Sequence, residues 1–528
     1  MSEKYIEHVK LFNFKRFKEI SVPLSKGRNV LIGDNESGKS SILLALDLVI
    51  SGNVSRVEAL GIDNLINTEM VMQFSSLSQQ DRKFENLPKT CVELFLSDFH
   101  NFHVDGTANS EGVNSHGFRL EIVPRDDLKN EIDALLDNEN GAFPFEFYHV
   151  QFKTFANESY TGYSRFMKCM GIDNTQISSE YAMRSYVKNV YDSYADDDKR
   201  NMHKYLYRQA KKDFGVNNLS DINGSLGNNR KFEVRQGGKS ILENDLTISE
   251  KGIQIENMGK GRQCLVRTEF ALAKGSQNKE PDVILLEEPE NHLSHGNMNR
   301  LISAIVDSND SQLIATTHSS LFSARLDLRN AIFLNSSSVN PVLLNDLTED
   351  TAKFFSKAPI TNILEFSLSS KVILVEGAAE FILLAAFYKN ITGTDISGSD
   401  IHIISVGGLS FKRYLELAEK LEIKVAVITD NDKNYQANIE IKYESYSNID
   451  TIKIYTTPDE DTHTFELCVY ESNAAVCDEL FAEGLKTNTV PEYMLANKSE
   501  VAYQLLLQKG GELVAPSYIE EAVQWISA

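Results

Sequence analysis

Gly33-Asp34-Asn35-Glu36-Ser37-Gly38-Lys39-Ser40-Ser41 decides the first half of the chain. Its first eight residues fit G-x-x-x-x-G-K-[ST]. In that pattern backbone N–H groups wrap the phosphates, Lys39 reaches the β- and γ-phosphates, and Ser40 holds Mg²⁺. Gly33, Asn35, Ser37, Gly38 and Ser41 complete the expected contacts to ATP. The loop follows an apolar run, Val30-Leu31-Ile32, and opens a stretch of helical character, Ser41 to Val49, so a helix N-terminus adds its partial positive charge. Upstream, residues 5–32 alternate apolar and polar and read as strands feeding the loop.

Three later stretches complete a nucleotide-hydrolysing set. In Val283-Ile284-Leu285-Leu286-Glu287-Glu288-Pro289-Glu290-Asn291-His292-Leu293 a buried strand delivers two carboxylates to its C-terminal end. Glu287 is expected in the Mg²⁺ shell and Glu288 beside the attacking water; a solvated acidic turn is the bland alternative. In Gln312-Leu313-Ile314-Ala315-Thr316-Thr317-His318 a strand ends in a histidine placed to sense the γ-phosphate. Between the loop and the acidic strand, Gly259-Lys260-Gly261-Arg262-Gln263 resembles the ABC signature, which contacts nucleotide bound to an opposite subunit. Lys260 stands where that signature usually has Ser. If the match holds, ATP is sandwiched between two copies and the protein is at least a homodimer.

The C-terminal third repeats a different device. Lys371-Val372-Ile373-Leu374-Val375-Glu376 is a buried strand ending in a carboxylate, and a helix sets Glu380 one turn later. Some fifty residues on, Lys424 to Thr429 forms a second such strand, closing on Asp430-Asn431-Asp432. Alternation along an extended chain would put both aspartates on one side. Between them, His402 to Gly408 reads as a strand closing on a glycine turn. Hard oxygen ligands from neighbouring parallel strands suit Mg²⁺ or Mn²⁺, and a pair of such ions can clamp the attacking and leaving oxygens of a phosphoryl displacement. This order of strand-terminal acids is that of a Toprim domain. Glu466 and Lys498 are further candidates, as a metal ligand and as a cation beside the scissile phosphate.

The chain has 528 residues, too many for one ordinary core. The expected fold is α/β: an ABC-type P-loop ATPase domain with a helical insert, followed by a C-terminal Toprim α/β domain. The expected boundaries place the first ATPase part at 1–155, the insert at 156–215, the second ATPase part at 216–340, a linker at 341–368 and the Toprim domain at 369–528. In the insert Met183, Val187, Val190 and Tyr194 form an apolar stripe at helical spacing. A dimerisation element, a lid and a plain core helix pair all fit it, whereas the missing heptads rule out a long coiled-coil arm. Residues 215–240, rich in Asn, Gly and Ser, read as a surface loop.

Composition sets limits. No apolar run reaches the length of a membrane span and the N-terminus lacks a signal peptide's apolar stretch, so the expected location is the cytoplasm. Five scattered cysteines without a C-x-x-C pair argue against a zinc ribbon or a disulfide framework. A net charge of −22 weighs against nucleic-acid binding, but it describes the long-range field and not local sites. Basic clusters at Lys15 to Lys18, Lys204 to Lys212, Arg230 to Lys239 and Lys251 to Arg267 remain available to phosphate.

An ABC-type ATPase followed directly by a Toprim domain resembles the OLD (overcoming lysogenization defect) family of nucleases. The resemblance rests on GDNESGKSS, LLEEPENHL, TTHSS, LVEGAAE and ITDND, and covers nearly the whole chain. It implies two-metal cleavage of DNA, an ATPase that forms a homodimer or larger core, and use in anti-phage defence, with room for a separately encoded partner. Carried over, Glu376, Glu380, Asp430, Asp432 and Glu466 surround the metals and Lys498 stands beside the phosphate. RNA as substrate stays open. The alternative is an ABC-type DNA-binding clamp or repair ATPase whose Toprim domain only docks. A topoisomerase, a primase and a transporter subunit each need parts that this sequence does not offer.

Overall fold

Ile6, Val9, Leu11 and Phe14 are fully buried while the residues between them are not. That alternation lays strand β1 (Ile6–Phe14) with one face on a core. A tight turn with left-handed Asn13 and Lys15 returns it to β2 (Phe17–Pro23). The structure, a computed structural model, describes residues 4–97, 101–138, 141–162, 166–173, 184, 187–188, 190–191, 194–226, 230–235, 242–272, 281–291, 293–307, 311–319, 331–336, 338, 340–357, 360–408, 410–483, 485 and 488–528. The chain divides into two compact units: residues 1–30 with 40–326, and residues 31–39 with 327–528.

In the first unit, β1 and β2 join β4 (Thr90–Leu96), β5 (Ser115–Pro124) and β6 (Tyr148–Thr154) in an antiparallel sheet ordered β2-β1-β4-β5-β6. The same unit holds a parallel set in which β8 (Val283–Glu287) runs between β7 (Cys169–Asp173) and β9 (Gln312–Thr317). Val283 to Leu286 are all buried, as a strand covered on both faces requires. Strand β3 (Arg28–Gly33) runs from the first unit into the second. Its buried Asn29 donates to Leu313 O at 3.3 Å, and a Cβ on Gly33 would lie 2.3 Å from Leu334 O of β10 (Ala331–Leu334), which pairs antiparallel with the short β11 (Val342–Leu343).

The stretch expected as a purely helical insert therefore contains a strand, β7, paired with the acidic strand. A five-residue run with a glycine at its centre shows no readable period, so neighbours decide its state. Of the predicted stripe, Val187 and Val190 are buried against Ile255 and Val266, Tyr194 is exposed, and Met183 lies outside the described residues. Helix α2 (Asp197–Asn218) and a further turn at Ser220–Gly224 occupy the start of the expected loop.

The second unit is built on four parallel strands, β12 (Lys371–Val375), β13 (Ile401–Ser405), β14 (Lys424–Ile428) and β15 (Ile452–Tyr455), ordered β13-β12-β14-β15. Helices α7 (Ala378–Thr392) and α8 (Phe411–Leu421) make the crossovers. Leu383, Phe387, Ala426, Phe465, Leu505 and Ile519 share the core. The stretch expected as a linker, 341–368, is folded into α5 (Glu349–Lys357) and α6 (Ile360–Ser367). Phe355 and Phe366 are fully buried, edge-on to Tyr414 of α8 at 5.3 and 5.2 Å, and the hydroxyls of Thr348 and Thr351 donate to Glu416 of α8. Phe355 in the first of these helices, and Ile363, Leu364 and Phe366 in the second, bury enough area to hold both against the unit. Because the strand order doubles back at β12, the switch point of this sheet falls between the carboxyl ends of β12 and β14, where doubly wound sheets place ligands.

Candidate active site

Glu376 follows the last residue of β12 and Asp430 lies two residues beyond β14, so both acids stand at that switch point. Glu380, 9% exposed, sits in the first turn of α7. A Cβ on Gly377 would lie 3.3 Å from Glu380 Oε2, so the glycine leaves that carboxylate its room. The glycine turn after β13 closes on the same edge: Gly408 N donates to Glu376 O at 3.3 Å, and Gly407 and Gly408 both take left-handed φ. Glu466, 4% exposed in the first turn of α9 (Phe465–Ser472), lies 3.0 Å from Lys498 Nζ at the start of α10 (Lys498–Lys509). Phe465 N, beginning α9, donates to Asp430 Oδ1 at 2.8 Å.

Asp430 and Asp432 do not alternate along a strand. The strand ends at Ile428, and Asp432 has a left-handed φ of 50°. A buried side chain sets this turn: Asn431 is fully buried and its amide donates to Thr457 O and Asp459 O, each at 2.8 Å, while its carbonyl accepts from Lys433 N. Asp430 thereby stays within the cluster and Asp432 is exposed at its rim. Sequence reasoning passed over Asn431 as the spacer of D-x-D; its burial is a tertiary fact.

The carboxylates act on one another. Burial, and then the charges of Glu466, Glu380 and Glu376, push Asp430 up to about 8. Glu380 is raised by burial and by Glu466 and Glu376. Glu376 is raised by burial and by Asp432, with Lys498 and Lys442 opposing. Lys498 is held above the usual lysine range against its own burial, by Glu466 first and then by Asp430 and Glu380. Among the described residues no three acidic, histidine or cysteine side chains already converge as a metal cage. The donor set nonetheless fits a hard divalent cation, being all oxygen and mutually repelling: ionising Asp430 among like charges is costly, and a cation would relieve that cost.

The nucleotide motifs are distributed between the units. Lys39, 4% exposed in the second unit, donates to Gly33 O at 2.8 Å and Asp34 O at 2.6 Å. Gly38 has φ 90°, which L side chains rarely adopt, and helix α1 (Lys39–Ser51) starts directly after it, carrying Ser40 and Ser41. In the first unit Glu287 ends β8 and Glu288 turns the chain with φ 43°. Glu288 Oε1 lies 2.9 Å from His318 Nε2, and its Oε2 accepts from Asn291 Nδ2 at 2.6 Å. Glu290, not among the residues expected to act, binds the histidine loop: its Oε1 accepts from Thr317 Oγ1, His318 N at 3.1 Å and Ser319 N at 3.2 Å. Gly259 precedes helix α3 (Lys260–Leu272), where Lys260 is exposed, Gly261 is half-buried and Arg262 pairs with Glu250.

The chain is an ATPase–Toprim fusion by its matches as well as by its motifs. A family profile described as AAA ATPase domain matches residues 5–90 and 174–322. A second, described as the overcoming lysogenization defect protein-like Toprim domain, matches residues 368–432, within which Glu376, Glu380, Asp430 and Asp432 fall. The Old nuclease of Escherichia phage P2 is 26% identical over 196 residues, covering 34% of this chain and 33% of that protein. The chain thus carries an AAA ATPase domain and a Toprim domain of the overcoming lysogenization defect protein-like type, and it is similar to the Old nuclease. It aligns with only a third of that curated relative's length. Two solved structures are also similar: the C-terminal region of the Xanthomonas campestris pv. campestris OLD protein (21% identity, 30% of this chain, 92% of that one, TM-score 0.23) and a Pyrococcus furiosus Smc head domain (17%, 61%, 92%, TM-score 0.33).

Proposed function

We propose that this protein is an ATP-hydrolysing, divalent-metal-dependent nuclease that cleaves DNA phosphodiester bonds at the carboxyl edge of its Toprim sheet. The observation that carries the reading is Asp430, held by a backbone N–H at the switch point and crowded by Glu466, Glu380 and Glu376. Glu376, Glu380, Asp430, Asp432 and Glu466 would hold Mg²⁺ or Mn²⁺, which when bound would polarise the phosphate and lower the pKa of an attacking water. The chain's own residues do the rest. Asn431 fixes the turn that separates the two aspartates, Glu466 and Lys498 orient each other, and the Lys498 ammonium faces the charge that builds on the scissile phosphate.

In the ATPase, Lys39 and Ser40 would hold the phosphates and Mg²⁺, Glu287 would complete the ion's shell, and Glu288, bridged to His318, would orient the hydrolytic water. Gly259, Lys260 and Gly261 would meet nucleotide on a second copy, making a homodimer or larger assembly the working form. In this reading nucleotide state fixes the dimer and so gates cutting. In this reading the activity serves anti-phage defence in the cytoplasm, as the resemblance to the OLD family implies, with a separately encoded partner as an option. Among the described residues no helix is long and apolar enough to cross a membrane.

The test is nicking of supercoiled plasmid with Mg²⁺ or Mn²⁺ by wild type and Asp430→Ala, repeated over an ATP series and with an RNA substrate. Cutting by wild type alone supports the nuclease. Equal behaviour of the two proteins leaves an ATPase clamp with a docking Toprim domain.

A further inference from the structure

The segment after Asp432 supplies no carboxylate to the site, yet its backbone takes an unusual course. The chain turns through two left-handed residues, Asp432 and Lys433, and enters a π-type turn over Gln436–Ile441. Such turns are rare and gather at functional sites. This one is tied back to the acidic turn: Asn438 Nδ2 donates to Asn431 O at 2.9 Å and Asn434 N to the same oxygen at 3.0 Å. It delivers Lys442 to the rim of the site, where the charges of Glu376 and Asp432 both act on its ammonium.

Three features set Lys442 apart from Lys498. Lys498 is committed to Glu466 at 3.0 Å, whereas Lys442 makes no ion pair among the described residues and rests its Nζ 5.2 Å from the centre of the Tyr443 ring. Tyr443 is itself 4% exposed with a buried hydroxyl that has no hydrogen-bond partner, an arrangement that costs stability unless something is gained elsewhere. Lys412, exposed in the first turn of α8, brings a second positive charge close enough to act on Lys442. The segment is tied to that helix as well, since Tyr446 Oη donates to Lys412 O at 3.2 Å. Two lysines from separate elements thus stand at the rim of an acidic cluster, with the charge of Lys412 opposing those of Glu376 and Asp432 on Lys442.

We propose that Lys442 and Lys412 form a phosphate seat that holds the nucleic-acid backbone next to the scissile bond, with the Tyr443 ring as its floor. This rests on the nuclease reading and names the residues through which the site grips its polyanionic substrate. A lysine ammonium is a compact point charge that suits a backbone phosphate and carries no sequence information, so the seat serves affinity and register.

The test is binding of a fluorescein-labelled duplex oligonucleotide by full-length protein with Ca²⁺, titrated over a salt series. Lys442→Gln is expected to weaken binding by about three- to tenfold and to make the slope of log K against log salt shallower by about one, with Lys442→Arg restoring both. Lys412→Gln is expected to act in the same direction. Thermal melting of each variant reports folding; should Lys442→Gln melt early, Lys412→Gln and Lys442→Arg carry the comparison. Unchanged affinity and slope in Lys442→Gln and Lys412→Gln, with wild type still cutting plasmid, would overturn the seat and leave the nuclease standing. A wild type that neither binds nor cuts any polynucleotide would remove both.

Discussion

Glu288 and Asp430 are each the acid that a buried parallel strand delivers to its end, and their surroundings are opposite. Glu288 is met by donors, His318 Nε2 at 2.9 Å and Asn291 Nδ2 at 2.6 Å. Among the described residues Asp430 accepts from Phe465 N at 2.8 Å, and the charges of Glu466, Glu380 and Glu376 act on it against that of Lys498. Hydrogen bonds hold the first carboxylate in place for a reaction. Burial and repulsion favour the protonated form of the second, and a bound cation would take the proton's place. The difference separates an acid placed to orient water from one placed to collect metal.

Exchanging the two defects should break this division most visibly. Asp430→Ala is expected to lower plasmid nicking by about a hundredfold or more while ATP hydrolysis stays within about twofold, and Glu288→Gln to lower ATP hydrolysis by about a hundredfold while nicking measured without nucleotide stays within about twofold. Loss of both activities in either variant would mean that the two sites are one cooperative unit. The next effect is structural. Asn431→Ala strands the carbonyls of Thr457 and Asp459 and should cost about 3 kcal/mol, read as a shift in the urea midpoint; a silent substitution would remove Asn431 as the anchor of the acidic turn. Glu290→Ala removes the acceptor shared by Thr317, His318 and Ser319, and should cut the turnover number for ATP about tenfold. In a double-mutant cycle with His318→Ala the losses should fail to add, because Glu290 acts through that loop; additive losses would give it an independent role. The smallest effect sharpens the contrast. Asp430→Asn, which keeps an acceptor for Phe465 N and removes one charge, should stabilise the metal-free protein by about 1 kcal/mol and abolish any rise in melting temperature on adding Mg²⁺. A lowered melting temperature without metal would contradict the crowding.

The residues legible in advance were those whose role is local. Gly38 needs its left-handed φ, Lys39 must follow it, and Glu376 and Glu287 must end or follow buried strands; each requirement is met within a few residues of chain. Asn431, Glu290 and Lys442 left no such mark, because what defines them are Thr457 and Asp459, the loop at Thr317 to Ser319, and Glu376 with Lys412. The alternation expected for Asp430 and Asp432 failed for the same reason: a buried asparagine overrides the strand period once the strand has ended. Strand β7 and the folded stretch at 341–368 were hidden too, both by their shortness, since helices of nine and eight residues show little of a period.

By itself, then, the sequence determined the two-part α/β architecture, the phosphate loop and the roster of strand-end carboxylates, since hydrophobic period and turn chemistry act over neighbouring residues. Only the tertiary structure decided which acids crowd one another, which lysine is already paired and which is left at the rim. Burial and Coulomb interaction depend on distance through space, and no spacing along the chain encodes that.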